Sequence, residues 1–294
     1  MIAPDGDRLR AIPGDFDRAR LADIDARLDR IRDEHRVAIG LAIESGSRAW
    51  GLPSPDSDYD CRFIFVRAET DYLSPWQRRD VIETPLVDDL DINGWDLGKT
   101  LKLLLKGNAV AIEWLMSPIV YAAERNFRDS LRAFSSLYSS RDGVAHHYLH
   151  LGERQRRTYF ADGKAVSLKK LFYALRPAMA LRWLRLHPDQ TIAPMHFPTL
   201  MDECAPPRDV LALATELIAR KAQTRELGTA LLPMAIDTFL DAEFAAAREA
   251  FPAGRRSLDG TAVAAAEALF RETVARLAPR IGSTYAGTDA RKAP

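Results

Sequence analysis

The chain has 294 residues, 47% of them hydrophobic and 28% charged, and its formal net charge is zero. Such values belong to a globular chain with enough apolar material for one large domain or two small ones, and they exclude a low-complexity or strongly basic protein. Any attraction to nucleic acid must therefore be local. The two cysteines, Cys61 and Cys204, sit in no CxxC or zinc pattern, which excludes a disulfide framework.

The opening stretch, MIAPDGDRLR, lacks the apolar core of a signal peptide, and no run is long enough to span a bilayer. The expectation is a soluble protein of a reducing cytoplasm, without membrane contact. Residues 16–36 place Leu21, Ile24, Leu28 and Ile31 on one face between charges, the pattern of an amphipathic helix. VAIGLAIE then reads as a buried strand, closed by the turn Ser45-Gly46-Ser47. YDCRFIFV is a second strand, and residues 80–84 and 88–95 are further strand candidates. From Leu97 the period becomes helical. Leu97, Leu101, Leu104 and Leu105 mark a helix ending near Gly107-Asn108, and Ile112 to Met116 form another, stopped by Pro118. Residues 123–138, 142–161, 167–187, 208–225, 230–250 and 261–279 all read as helices, and the polar tail after Arg280 is expected to fray. The predicted architecture is α+β: a small mixed-sheet domain over residues 1–120, then an all-helical C-terminal domain over 121–294.

The chemistry-bearing stretch is Gly46-Ser47-Arg48-Ala49-Trp50-Gly51 followed by Pro55-Asp56-Ser57-Asp58-Tyr59-Asp60. A Gly-Ser at a strand end lets the backbone turn tightly and approach a ligand, and successive amides there can cradle a phosphate. Asp58 and Asp60 lie two apart at the start of a strand, so both point to one face. Two adjacent carboxylates repel unless a cation sits between them, and Mg²⁺ prefers one or two carboxylates together with substrate phosphates. A phosphate nest beside a carboxylate pair is suited to metal-assisted phosphoryl or nucleotidyl transfer.

This order of residues resembles the signature of the DNA polymerase β superfamily of nucleotidyltransferases, in which a Gly-Ser motif precedes an Asp-x-Asp pair and a third carboxylate lies on a later strand. Asp91, in Leu90-Asp91-Ile92, stands where that third carboxylate falls; Asp88 and Asp89 compete for the role, and Asp89 shares the parity of Asp91. Within the superfamily the chain resembles the RlaP-type group, whose strand Asp, helix Lys, Gly-Asn and Glu are matched by Asp91, Lys99, Gly107-Asn108 and Glu113. The group's helical stretch is matched by Gly163-Lys164, Lys169-Lys170, Tyr173 and Arg176-Pro177. The resemblance covers residues 40–190. It implies a nucleoside triphosphate substrate and two Mg²⁺ ions, with Mn²⁺ as a substitute, held by Asp58, Asp60 and Asp91. Asp91 would also help activate the attacking hydroxyl. Gly46 and Ser47 would hold the β- and γ-phosphates, joined by Arg48, Lys164, Lys169, Lys170 and Arg176 as further nucleotide-binding residues. The implied reaction transfers a nucleoside monophosphate to an acceptor hydroxyl and releases pyrophosphate. The RlaP group is associated with RNA repair, which makes RNA the expected acceptor. A protein hydroxyl (AMPylation) and a non-catalytic nucleotide-binding module are the rival readings, and the presence of all three carboxylates favours catalysis.

Other features have plainer readings. Asp56, Asp58 and Asp60 mimic the start of a calcium loop, but Cys61 stands at its sixth position and Arg67 at its twelfth, where Gly and Glu are needed. Residues 146–190 hold nine Lys/Arg against three acids, an excess that can meet RNA or can be an ordinary solvated helix face. Arg48 can contact a phosphate or pair with a surface acid. His146 and His150 share a helix face, but no acid or Cys beyond Glu153 stands at ligand spacing. Trp50 and Cys61 read as packing residues.

Overall fold

A computed structural model describes residues 8–160, 165–225, 228–252 and 259–280. In chain order the N-terminal part comprises β1 (Arg8–Ala11), α1 (Arg18–His35), β2 (Ala38–Glu44), α2 (Gly46–Ala49), β3 (Tyr59–Val66), α3 (Glu69–Tyr72), β4 (Val81–Glu83), β5 (Leu90–Asp96), α4 (Leu97–Leu105), α5 (Ala109–Met116) and β6 (Val120–Glu124). Then follow α6 (Arg125–Tyr138), α7 (Arg141–Tyr159), β7 (Val166–Ser167), α8 (Leu168–Leu186), α9 (Phe197–Cys204), α10 (Arg208–Gln223), β8 (Thr229–Ala230), α11 (Met234–Ala250) and α12 (Gly260–Leu277). The class is α+β, a mixed six-stranded sheet with helices followed by a largely helical region.

The sheet runs β1-β6-β2-β3-β5-β4. Its pairs are antiparallel except β3 with β5, which run parallel with Asp60 opposite Asp91. Side-chain alternation gives the sheet two apolar faces. On one, Ala42, Cys61, Phe63, Phe65, Ile92 and Tyr121 cluster with Ile24, Leu28 and Ile31 of α1. That helix starts because the Asp17 carboxylate accepts from the Ala19 and Arg20 amides. On the other face, Leu41, Ile43, Ile64 and Val66 join the core formed by α4, α5, α6 and the helices beyond. Burying both faces fixes the strand register, since a one-residue slip would turn every side chain to the wrong side.

Several elements differ from the sequence-based expectation. β1 and β6 were not anticipated, and β6 pairs with both β1 and β2, so the sheet continues past residue 120 to Glu124. The helix expected from residue 123 starts instead at Arg125, with Glu124 capping the Phe127 amide. The C-terminal region is not wholly helical, because Val166 and Ser167 pair with Ala230 and Thr229; this moves the start of α11 to Met234. α9 was also missed, and the expected turn at Gly46 winds into one short helical turn. Gly163, Lys164 and the tail after Arg280 lie outside the described residues. Among the described residues no helix is long and apolar enough to cross a membrane.

Candidate active site

β2 ends at Glu44, and the chain turns through Gly46 at φ +60° into α2. A left-handed φ favours glycine, and here space demands it too: a Cβ on Gly46 would overlap Asp60 Oδ2. The Gly-Ser turn therefore lies directly against the first strand carboxylate. The Ser45 amide donates to the Asp60 carbonyl at 2.8 Å, which binds the turn to the start of β3. Beneath it lies Glu44, fully buried, accepting from the Asp60 amide at 2.9 Å and from the Tyr121 hydroxyl. Burial pushes the Glu44 carboxyl up to about 8, against the opposing effect of those two hydrogen bonds.

Asp60 and Asp91 stand opposite each other on the parallel pair β3–β5. Arg62, two residues beyond Asp60 on the same face, lies between them: its Nη2 is 2.9 Å from Asp60 Oδ1 and 2.7 Å from Asp91 Oδ2. Asn93 Nδ2 donates to the other Asp91 oxygen at 2.6 Å. Burial raises the Asp60 pKa above the usual carboxylate value, Asp91 and Asp58 raise it further, and Arg62 lowers it. Asp89, the rival for the third position, is turned away and pairs with Arg20 at 2.9 Å.

Next to these groups lies a cleft of about 630 Å³ between the sheet and the helical region, within the usual size range of small-molecule sites; Asp60 lines it, whereas Asp91, Asp89 and Glu44 do not. Gly46, Ser47, Asp58, Asp60 and Lys169 all face it, as do Arg62 and Asn93. One side is aromatic, where Trp95 of β5 stacks on Trp114 of α5 with ring centroids 3.9 Å apart. Lys169, in the first turn of α8, reaches Asp56 at 3.2 Å across the mouth.

Other expected site residues occupy different places. The Arg48 guanidinium donates to the carbonyls of Asp58 at 3.2 Å and Ser57 at 2.6 Å, and lies 3.8 Å from the Tyr59 ring centre. It fixes the loop carrying Asp58 and does not line the cleft. Arg176 is buried in α8, paired with Glu113 at 2.7 Å and stacked under Trp50 at 3.9 Å. Lys170 lies over the rings of Tyr159 and Tyr173. Lys99 pairs with Asp80 at 3.1 Å on the surface. Gly107, at φ +69°, and the capping residue Asn108 shape the joint between α4 and α5. Part of the basic excess counted along the sequence is met by acids from another helix: Arg156 by Asp237 and Asp241, and Arg182 and Arg185 by Glu243, all of α11. His146 is held by the Phe251 carbonyl, and Cys61 is core, as expected.

The sequence reading missed Arg62, Asn93, Glu44 and Lys221. Arg62 shares the strand parity of Asp60, and that alternation is the signal that marks it. Lys221 lies at helical spacing from the buried Val210, Ala214 and Leu217; a lysine on an apolar stripe is the corresponding signal.

Comparison with known proteins agrees with this geometry. Residues 21–272 match the family model described as "RlaP: RNA repair pathway DNA polymerase beta family". The chain belongs to the RlaP family. It is also similar to the uncharacterized protein YcgL of Bacillus subtilis (strain 168), with 41% identity over 223 residues, covering 76% of this chain and 85% of the relative. The RlaP match takes in the turn at Gly46, all three carboxylates, and α10 with Lys221, so both sides of the cleft fall within the family region.

Proposed function

We propose that this chain is a metal-dependent nucleotidyltransferase that moves a nucleoside monophosphate from a nucleoside triphosphate to a hydroxyl of RNA. The observation that carries this reading is the pairing of Asp60 with Asp91 on adjacent parallel strands, with the Gly46-Ser47 turn packed against Asp60. The family's link to RNA repair favours RNA as the acceptor.

Among the described residues no group of three or more His, Cys, Asp or Glu is arranged to hold a metal ion alone. The donor set nevertheless fits Mg²⁺ in partnership with substrate phosphates: Asp58 and Asp60 offer hard oxygen ligands to one cleft, while Arg62 is the cation that bridges Asp60 and Asp91 in this structure. Asp58 and Asp60 would hold Mg²⁺, or Mn²⁺ in its place, with Asp91 completing the set. The bound ions would supply charge neutralisation on the triphosphate and lower the pKa of the attacking hydroxyl.

The chain's own groups divide the remaining work. The Gly46-Ser47 amides and the Ser47 hydroxyl hold the β- and γ-phosphates, and Lys169 faces them across the cleft mouth. Asp91 orients the acceptor hydroxyl towards the α-phosphorus, and Arg62 and Asn93 fix the Asp91 carboxylate through its two oxygens. The stacked Trp95 and Trp114 wall off one side from water. Attack forms the new phosphodiester bond as the bond to the β-phosphate oxygen breaks, and pyrophosphate leaves. The test is incubation of the chain with Mg²⁺ and each α-labelled triphosphate, with a pool of RNA or of protein. Label on RNA is the expected result; label on protein alone supports the AMPylating alternative, and label on neither pool overturns the proposal.

A further inference from the structure

Lys221 is contributed to the cleft from the far end of the chain. It lies in the last turn of α10, only 5% exposed, and faces the same space as Ser47, Asp60 and Lys169. Its ammonium donates to the Leu52 carbonyl and, at 3.4 Å, to Ser47 Oγ. Among the described residues no carboxylate pairs with it. Its surroundings deepen the deficit: burial lowers the pKa of Lys221 to about 8, Lys169 and Arg48 act in the same direction, and Asp56 opposes them.

A buried ammonium held only by neutral oxygens is an expensive arrangement. If Lys221 served only to tie α10 to the Leu52 carbonyl, an uncharged donor would do so without the desolvation cost. The nearby structural cations illustrate the usual solution: Arg176 is as buried, yet faces Glu113, and Arg182 and Arg185 share Glu243. Lys221 instead points at Ser47, the hydroxyl at the start of α2, and pairs with no acid of its own. An anion entering beside Ser47 would complete its coordination, and ammonium-to-phosphate hydrogen bonds are among the stronger ones available.

We propose that Lys221 is a phosphate-binding residue of this cleft, receiving the terminal phosphates of the triphosphate and then the departing pyrophosphate together with Ser47. This rests on the nucleotidyl-transfer reading above. It makes the helical region a participant in the site, since the turn at Gly46 and α10 must both be in place to grip the polyphosphate tail.

The test uses the full chain and inorganic tripolyphosphate, a probe free of any base or sugar preference. Calorimetric titration compares the wild type with Lys221→Gln, which keeps a donor for Leu52 but loses the charge, and with Lys221→Arg. The expected result is that Lys221→Gln binds roughly 10- to 100-fold more weakly, that Lys221→Arg retains most of the affinity, and that the unliganded Lys221→Gln chain melts no lower than the wild type. A tail-binding role also predicts that affinity for a nucleoside monophosphate changes little. Equal binding of tripolyphosphate by wild type and Lys221→Gln overturns the proposal, and so does a Lys221→Gln chain that melts lower and loses affinity for mono- and tripolyphosphate alike, the mark of a structural role. If the wild type binds tripolyphosphate through Lys221 but transfers no nucleotide, the transfer reading fails and the anion site stands. If it transfers nucleotide without dependence on Lys221, the converse holds.

Discussion

Gly46→Ala is the substitution whose consequences can be worked furthest. The residue sits at φ +60°, where an L side chain costs about 1–2 kcal/mol. Gly228 offers a matched control: its φ is +74° and a Cβ there meets nothing within 4 Å. Both alanine variants carry the backbone strain, so each should lose about 1–2 kcal/mol and melt about 2–8 °C lower. At Gly46 the added methyl also overlaps Asp60 Oδ2, so the Asp60 carboxylate, which is held by Arg62 through its other oxygen, must shift from its place. Misplacing a reacting group by an ångström can cost on the order of 100-fold in rate. Gly46→Ala should therefore lose at least about 100-fold in nucleotide transfer, whereas Gly228→Ala should transfer at nearly the wild-type rate. Thermal melting and single-turnover transfer of an α-labelled triphosphate measure both quantities. Wild-type transfer by Gly46→Ala, or an equal loss in both variants, would refute the close fit of turn and carboxylate.

Three further outcomes are expected. Asp91→Asn should leave triphosphate binding nearly intact and lower kcat far more than it raises KM, whereas Asp58→Ala should weaken Mg²⁺–triphosphate binding as well; calorimetry beside a transfer assay separates them. Glu113→Gln should destabilise the chain by about 3 kcal/mol, because it leaves the buried Arg176 without its countercharge, and urea denaturation would show it. Lys221 has a folded pKa of about 8 against an ordinary value of 10.5, so its burial penalty is complete below pH 8. Between those values the folded chain releases a proton that the unfolded chain retains, and stability from this group rises with pH. The stability advantage of Lys221→Gln over wild type, about 1–3 kcal/mol at pH 7, should accordingly shrink towards pH 10.5.

The sequence was most legible where one local pattern decided the outcome. The stripe Leu21, Ile24, Leu28 and Ile31 has a helical period and nothing competing with it, so α1 could be read to within two residues. Alternation placed Asp58 and Asp60 on one face, and both line the cleft, although Asp58 precedes β3; that Asp91 stands opposite Asp60 needed the strand order. β6 was hidden because VYAAE holds two alanines and runs straight into the helix-forming RNFRDS, leaving a strand and a helix start indistinguishable without the neighbours β1 and β2. β1, RLRA, is an edge strand whose charged residues mask its alternation. The basic excess of residues 146–190 could not be weighed from the sequence for another reason: Asp237, Asp241 and Glu243 lie far along the chain and reach Arg156, Arg182 and Arg185 only when α11 packs against α7 and α8. Lys221 went unread for the same reason, since its value depends on Ser47, far away in sequence and 3.4 Å away in space.

The central claim is that the chain transfers the α-phosphoryl group with its nucleoside and uses the strand carboxylates to do so. The most direct measurement follows one triphosphate labelled at the α- or the γ-phosphate, with Mg²⁺ and RNA bearing a free 3′-hydroxyl, for the wild type and Asp60→Asn. The account predicts that α-label becomes attached to RNA, that γ-label leaves as pyrophosphate, and that Asp60→Asn does neither. Attachment of γ-label to the acceptor, or α-label transfer that persists in Asp60→Asn, would contradict it.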